Sequence, residues 1–129
     1  MDTQQVTNNV STEQVANQYV NWSREGKNFD IIDQLYADNI VSTEMPNWPG
    51  QTVTEGIKSV MEKNENWMAN VQEFHGGTVS DPIIAGRHFT VRLDFDVTFK
   101  DSGRQQMEEV AVFEVKDGKI VNEQFFYDM

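Results

Sequence analysis

Apolar and polar residues alternate from Phe89 to Phe99 (FTVRLDFDVTF), the period of two that marks a half-buried strand. Asp101-Ser102-Gly103 breaks the run, a second run covers 107–115, Asp117-Gly118 is a two-residue hairpin signal, and a third run covers 120–127. The spacing predicts three antiparallel strands. Upstream the period becomes helical. Val15, Tyr19 and Trp22 fall at i, i+4 and i+7 with Ala16 and Val20 beside them, Ser11 and Gln14 have capping-box spacing, and Gly26 is a stop. A second helix is expected over 29–36, burying Ile31, Ile32, Leu35 and Tyr36, and Asp38-Asn39 then turns into a strand over 40–45. Pro46-Asn47-Trp48-Pro49-Gly50 is a loop. Thr52 and Glu55 are spaced as a second capping box, and the third helix carries the stripe Ile57, Val60, Met61, Asn64, Trp67, Met68 and Val71. A strand over 73–80 is interrupted by Gly76-Gly77, and Asp81-Pro82 leads into the long strand. The expected order is ααβαββββ, one α+β domain over 11–129 behind a loose polar tail, 1–10.

Hairpin spacing gives an expected register. With Asp117-Gly118 as a two-residue turn, Val112 lies opposite Glu123; with Ser102-Gly103 likewise, Leu93 lies opposite Val112. One face then carries Val91, Leu93, Phe95, Val97, Val110, Val112, Val121, Phe125 and Tyr127, together with Glu108, Glu114 and Glu123. The other carries Thr90, Arg92, Asp94, Asp96, Thr98, Glu109, Phe113, Asn122, Gln124 and Phe126. The first face is the more apolar and should meet the helices. Glu123 stands out there, because a buried carboxylate is costly unless it is paired or used. A bulge at Gly103 would flip the last two strands relative to the first. The second face mixes charges with Phe113 and Phe126, which suits a symmetric dimer contact.

Composition narrows the functions. The net charge of −11 opposes nucleic acid and anionic membranes as partners. Without cysteine there is no disulfide, zinc-thiolate site or thiol nucleophile, and a cytoplasmic location is expected. No apolar run is long enough to span a membrane, and MDTQQVTNNV has neither the basic segment nor the apolar core of a signal peptide. There is no nucleotide loop, P-loop or haem motif, so no cofactor is expected. His75 and His88 lack the spacing of a metal pair, and no metal is expected; His75, beside Gly76-Gly77, is a candidate for a pocket rim.

Four stretches in this order resemble the SnoaL-like branch of the nuclear-transport-factor-2-like superfamily. They are helix one with Tyr19 and Trp22, Leu35-Tyr36-Ala37-Asp38, Glu55-Gly56-Ile57, and Val115-Lys116-Asp117-Gly118-Lys119-Ile120. The resemblance covers residues from about 12 to 128. It implies a cone-shaped, curved antiparallel sheet wrapped around three helices (a cystatin-like α+β roll), a deep apolar pocket, and a homodimer. Relatives in this superfamily include ketosteroid isomerases, polyketide cyclases, limonene epoxide hydrolases and non-catalytic modules, so fold alone assigns no chemistry.

Residue by residue, the resemblance to the isomerases puts a carboxylate base at Glu44 and a donor tyrosine at Tyr19. It places a second acid at or near Val112, which cannot donate; Glu123 is the neighbouring carboxyl that could. The Arg-x-Asp motif of the epoxide hydrolases is met by eye at Arg92-Leu93-Asp94, but the inward positions hold Leu93 and Phe95 and the last-strand position holds Phe125, so that activity is not expected. The polyketide cyclases use a His/Asp arrangement, with His75 and His88 as the only histidines available. Trp22, Tyr36, Trp48, Trp67, Phe95, Val112, Phe125 and Tyr127 are the expected pocket lining, with Trp48 a candidate lip. Two functions stay open. One is a proton-transfer isomerase or cyclase acting on a hydrophobic carbonyl compound with Glu44, Tyr19 and Glu123; the other is a non-catalytic ligand-binding or dimerisation module. A homodimer is expected through Arg92, Asp94, Asp96, Phe113 and Phe126.

Overall fold

The computed structural model describes the backbone of residues 3–46 and 50–128 and the side chains of 12–46 and 50–128. Trp48, the candidate lip, lies outside the described residues. The order is α1 (Thr3–Arg24), α2 (Asn28–Leu35), β1 (Tyr36–Thr43), β2 (Val53–Glu55), α3 (Ile57–Ala69), β3 (Val71–Val79), β4 (Ile83–Ala85), β5 (His88–Phe99), β6 (Gly103–Lys116) and β7 (Lys119–Tyr127). Helix α1 begins at Thr3, upstream of Ser11, so the backbone of residues 3–10, expected as part of a loose tail, is helical. Its end follows the glycine rule. Gly26 takes φ +74 and the Lys27 amide bonds back to the Trp22 carbonyl at 2.9 Å.

Thr52 and Glu55 do not cap α3. Residues Val53–Glu55 instead pair with β1, Val41 opposite Glu55 and Thr43 opposite Val53, because a tertiary ladder outcompetes a local cap. Gly56, at φ +90, turns the chain into α3, and its amide bonds to the Ile40 carbonyl at 2.8 Å. The sheet runs β2-β1-β7-β6-β5-β3, with β4 on β5. It is mixed rather than wholly antiparallel: β1 and β7 are parallel, with Ser42 opposite Glu123. That pairing brings the passage after α2 beside the end of the chain.

The register of β6 differs from the expected one at both of its edges. Leu93 pairs with Glu109, not Val112, and Phe113 pairs with Glu123. The β5–β6 turn keeps Lys100-Asp101-Ser102 between paired Phe99 and Gly103, with Gly103 at φ +81. The β6–β7 turn is the expected Asp117-Gly118 pair, both at positive φ, but a bulge at Val121 slips the ladder by one beyond it. Each slip is odd, so β6 is flipped against both neighbours and β7 is flipped twice. Glu123, Phe125 and Tyr127 therefore share the inner face with Leu93 and Phe95 as expected, while all of β6 is reversed.

Phe113, expected outside, is fully buried and stacks on Phe89, with ring centroids 4.6 Å apart. Val110 and Val112, expected inside, turn outward; Val110 is 42% exposed. Phe113 is thus removed from the proposed dimer surface and Val112 from the pocket lining. Glu109 moves inside, and Glu108 and Glu114 move out.

The core gathers Val15, Ala16, Tyr19 and Val20 of α1, Ile31 and Ile32 of α2 and Val60 of α3 over Phe89, Val91, Leu93, Ala111, Phe113, Val115 and Ile120. Outside, Arg92 pairs with Asp94 and Glu108, and Arg104 pairs with Asp96, which holds the Asp96 carboxyl below its ordinary range. Arg92 and Asp94 therefore hold each other on the face away from the helices. Among the described residues no helix is long and apolar enough to cross a membrane.

Candidate functional site

The polar inventory of the cone lies along the β1–β7 seam. At its deep level, Glu123 is 2% exposed and level with Ser42 and Phe113. Tyr36, where α2 passes into β1, donates its hydroxyl to Glu123 Oε1, and the Ser42 hydroxyl also bonds to Glu123. Burial raises the Glu123 carboxyl above its ordinary range, against the two hydrogen bonds and the charge of Lys63. Burial and the neighbouring Glu123 likewise raise Tyr36, which stays a hydroxyl donor.

Tyr19 enters this level from α1. Its ring lies 4.6 Å from Phe113 and 5.8 Å from Phe89, and burial, then Glu123 and Glu109, push its phenol far above the ordinary value. Tyr19 is packed by these two phenylalanines at the level of Glu123.

One level outward are Glu44, Tyr127, Lys63 and Glu109. Tyr127 Oη donates to Glu44 Oε2 at 2.6 Å, and Lys63 Nζ lies 3.2 Å from Glu44 Oε1. Lys63 Nζ also donates to Ser42 Oγ at 2.7 Å and stands 5.7 Å from the centroid of the Phe125 ring. Lys63 thus ties the deep level to the outer one. Burial and the bond to Glu44 push the Tyr127 phenol up. Glu109 pairs across the ladder with Tyr127 and Leu93. Burial first, then the charges of Glu44 and Glu123, raise its carboxyl to about 7, with Lys63 opposing.

Ser42, Lys63 and Glu109 escaped the sequence reading. Lys63 lies three positions after Val60 and four before Trp67, on the stripe of α3, so a helical-wheel count would have shown it facing inward. Glu109 carried no such local signal, since its side depends on the turn and the bulge.

Of the expected lining, Tyr36 is buried in the core, and Trp22, Phe95 and Phe125 pack against it. Trp67 packs on Phe95 and Phe99, with centroids 6.3 and 5.6 Å away. Val112 faces out. His75 bonds Thr98 Oγ1 at 2.7 Å and Glu73 at 3.0 Å, on the outward parity of β5, and His88 is 4.0 Å from Glu114. Among the described residues no three His, Asp or Glu side chains are arranged to hold a metal ion. Among the described residues, surface depressions lie elsewhere. One of about 410 Å³ is on the outer face at the bulge, between Arg87, Lys116 and Asn122. One of about 300 Å³ lies by Gly77, Asp94 and Met107.

Chemically, the seam offers one carboxyl that exchanges protons near neutrality, a carboxylate held by an ammonium and a phenol, and protonated donors beneath them.

The profile of a SnoaL-like domain matches residues 10–127. A Mesorhizobium loti structure whose name offers it as a SnoaL-like polyketide cyclase is 36% identical, with 88% of this chain and 97% of that one covered, at a TM-score of 0.83. A Xanthomonas campestris protein of unknown function with a cystatin-like fold is 17% identical over 92% and 91% of the two chains, at 0.77. A Catenulispora acidiphila protein with a ketosteroid isomerase-like fold, solved with trimethylamine, is 15% identical over 89% and 85%, at 0.70. The last two speak for the fold alone. No functionally curated protein matches this sequence.

Proposed function

Because the chain belongs to the SnoaL-like family, whose profile spans residues 10–127, we propose that it binds a small, mostly apolar carbonyl compound within the cone. On that compound it moves a proton, as an isomerase or cyclase does. The observation that carries this reading is Glu109, an inward carboxyl whose pKa lies at about 7 between Glu44 and Glu123. A group poised there gives and takes protons at physiological pH with little driving-force penalty. Glu44, the base implied by the family resemblance, has one oxygen engaged by Lys63 and the other by Tyr127. The proton-transfer role therefore goes to Glu109, whose carboxyl is pushed up first by burial and then by the neighbouring Glu44. Glu123 remains the polar anchor below, with Tyr19 packed beside it on Phe89 and Phe113.

The test begins with a thermal-shift screen of steroid enones, polyketide-like aromatics and terpenoids, since a bound ligand raises the melting temperature by mass action. A hit is then assayed for turnover with Glu109→Gln and Glu44→Gln. A loss of ~10²-fold or more in Glu109→Gln is expected. Full turnover in that variant removes the assignment, and a screen with no stabilising compound removes the ligand.

A second reading has its own support. Glu123 is satisfied by Tyr36 and Ser42, as a structural carboxyl would be. A non-catalytic binding module would show ligand stabilisation with no product. A homodimer belongs to the same proposal, through the outer face with Arg92, Asp94, Asp96 and Phe126, the last 44% exposed. Light scattering at micromolar concentration should give twice the chain mass; a monomer argues against it.

A further inference from the structure

A proton abstracted next to a carbonyl leaves negative charge on the carbonyl oxygen, and that charge needs a donor at the level of the base. The phenols are poorly placed to supply it. Tyr36 spends its hydroxyl on Glu123 and Tyr127 spends its own on Glu44. Tyr19 lies at the deep level, against Phe89 and Phe113, whereas Glu109 is level with Tyr127. Lys63 is different. An ammonium has three N–H donors. Among the described residues, two of them are engaged, by Ser42 Oγ at 2.7 Å and Glu44 Oε1 at 3.2 Å. The side chain is 26% exposed, and its ammonium stands over the Phe125 ring, 5.7 Å from the centroid, so a ligand oxygen reaching it would lie next to that apolar ring.

We propose that Lys63 is a catalytic residue whose remaining N–H holds the oxygen of the substrate carbonyl and, after proton transfer, of the enolate. This rests on the proton-transfer reading and adds the electrophile to it. The Glu109 carboxylate takes the proton from the carbon next to the carbonyl. The electron pair of that C–H bond forms the enolate C=C, and the carbonyl π pair moves onto oxygen, against the Lys63 ammonium. Glu109 then returns the proton to carbon. Ser42 and Glu44 keep the ammonium at that position, in place of the tyrosine and acid pair that the isomerase resemblance implied. The ligand class follows: a carbonyl conjugated to a flat apolar body that lies along Phe125, with its oxygen toward α3.

The probe is 2-naphthol, a flat hydroxyl compound whose anion places its charge as an aromatic enolate does and fluoresces differently from the neutral form. Wild-type protein, Lys63→Met and Lys63→Arg are titrated with it at pH 8, each first shown folded by circular dichroism. Wild type is expected to bind it and raise its ionised fraction. Lys63→Met is expected to bind at least 10-fold more weakly and to lose the extra ionisation, and Lys63→Arg, which retains a donor and the charge, to recover most of both. Unchanged ionisation in Lys63→Met overturns the proposal, as does a wild-type protein that leaves the bound probe neutral or does not bind it. Glu109→Gln is run in parallel. If it still ionises the probe while Lys63→Met does not, Lys63 stands whatever becomes of Glu109 as the base. If only Glu109→Gln loses turnover on a substrate, the proton-transfer reading stands without Lys63.

Discussion

Replacing Glu109 with glutamine should change the pH dependence of stability in one direction. In the folded chain the carboxyl faces inward between Leu93 and Tyr127, and its pKa is pushed from the ordinary 4.5 to about 7. In the unfolded chain it titrates near its ordinary value. Below pH 4.5 both states hold the proton and the group adds no pH dependence. Between 4.5 and 7 the unfolded chain releases it while the folded chain keeps it. The unfolded state then binds fewer protons, so stability falls as pH rises through that window and stays low above 7. At ~1.4 kcal/mol per pH unit the loss is at most ~3.5 kcal/mol. Partial solvent access reduces this to ~1–2 kcal/mol. Glutamine has the same shape and no charge to desolvate. Urea unfolding of both proteins at pH 5 and pH 8 should show the variant gaining ~1–2 kcal/mol on wild type between the two. Parallel stability at both pH values, or a gain confined to pH 5, would refute the inward placement of Glu109 and with it the register of β6.

The same register is tested by two phenylalanines: Phe113→Ala should cost ~3–5 kcal/mol in urea unfolding, and Phe126→Ala within ~1 kcal/mol. Equal losses would count against the reversal of β6. Tyr36→Phe leaves Glu123 with one donor fewer and should lower stability by ~1–3 kcal/mol at pH 7; no loss would mean the bond contributes nothing. At Gly77 an added Cβ would lie 2.5 Å from the Asp94 carbonyl, so Gly77→Ala should lower the melting temperature through a strand shift of ~1–3 kcal/mol, and an unchanged value would place the β3–β5 contact elsewhere.

Much of the chain was legible without coordinates because its signals are local. Gly26 ends α1 and Asp117-Gly118 turns β6 into β7, each through the φ that glycine or a turn residue accepts. The period of β5 places Val91, Leu93 and Val97 inside, and the stripe on α3 buries Val60. The α+β class and the SnoaL-like resemblance followed from the order of such elements. Of the candidate site, Glu123 stood out as a carboxylate on an apolar face, Tyr19 and Glu44 came from the family resemblance, and Lys63 was available to a closer count along α3.

What the sequence by itself determined was therefore the set of elements, and what only the tertiary structure decided was which side of them faces which. The face of β6 depends on how many residues the β5–β6 turn holds and on a bulge at Val121, both settled by long-range strand pairing. Strand periodicity is two, so one residue of slip moves a whole face. That slip put Phe113 into the core, sent Val112 out, and brought Glu109 beside Glu44 and Glu123. The parallel β1–β7 pair is non-local in the same way, joining positions at opposite ends of the domain and setting Ser42, Glu123 and Lys63 into one network. Burial first, and then the charges of Glu44 and Glu123, which only packing brings together, are what push the Glu109 carboxyl up to about 7.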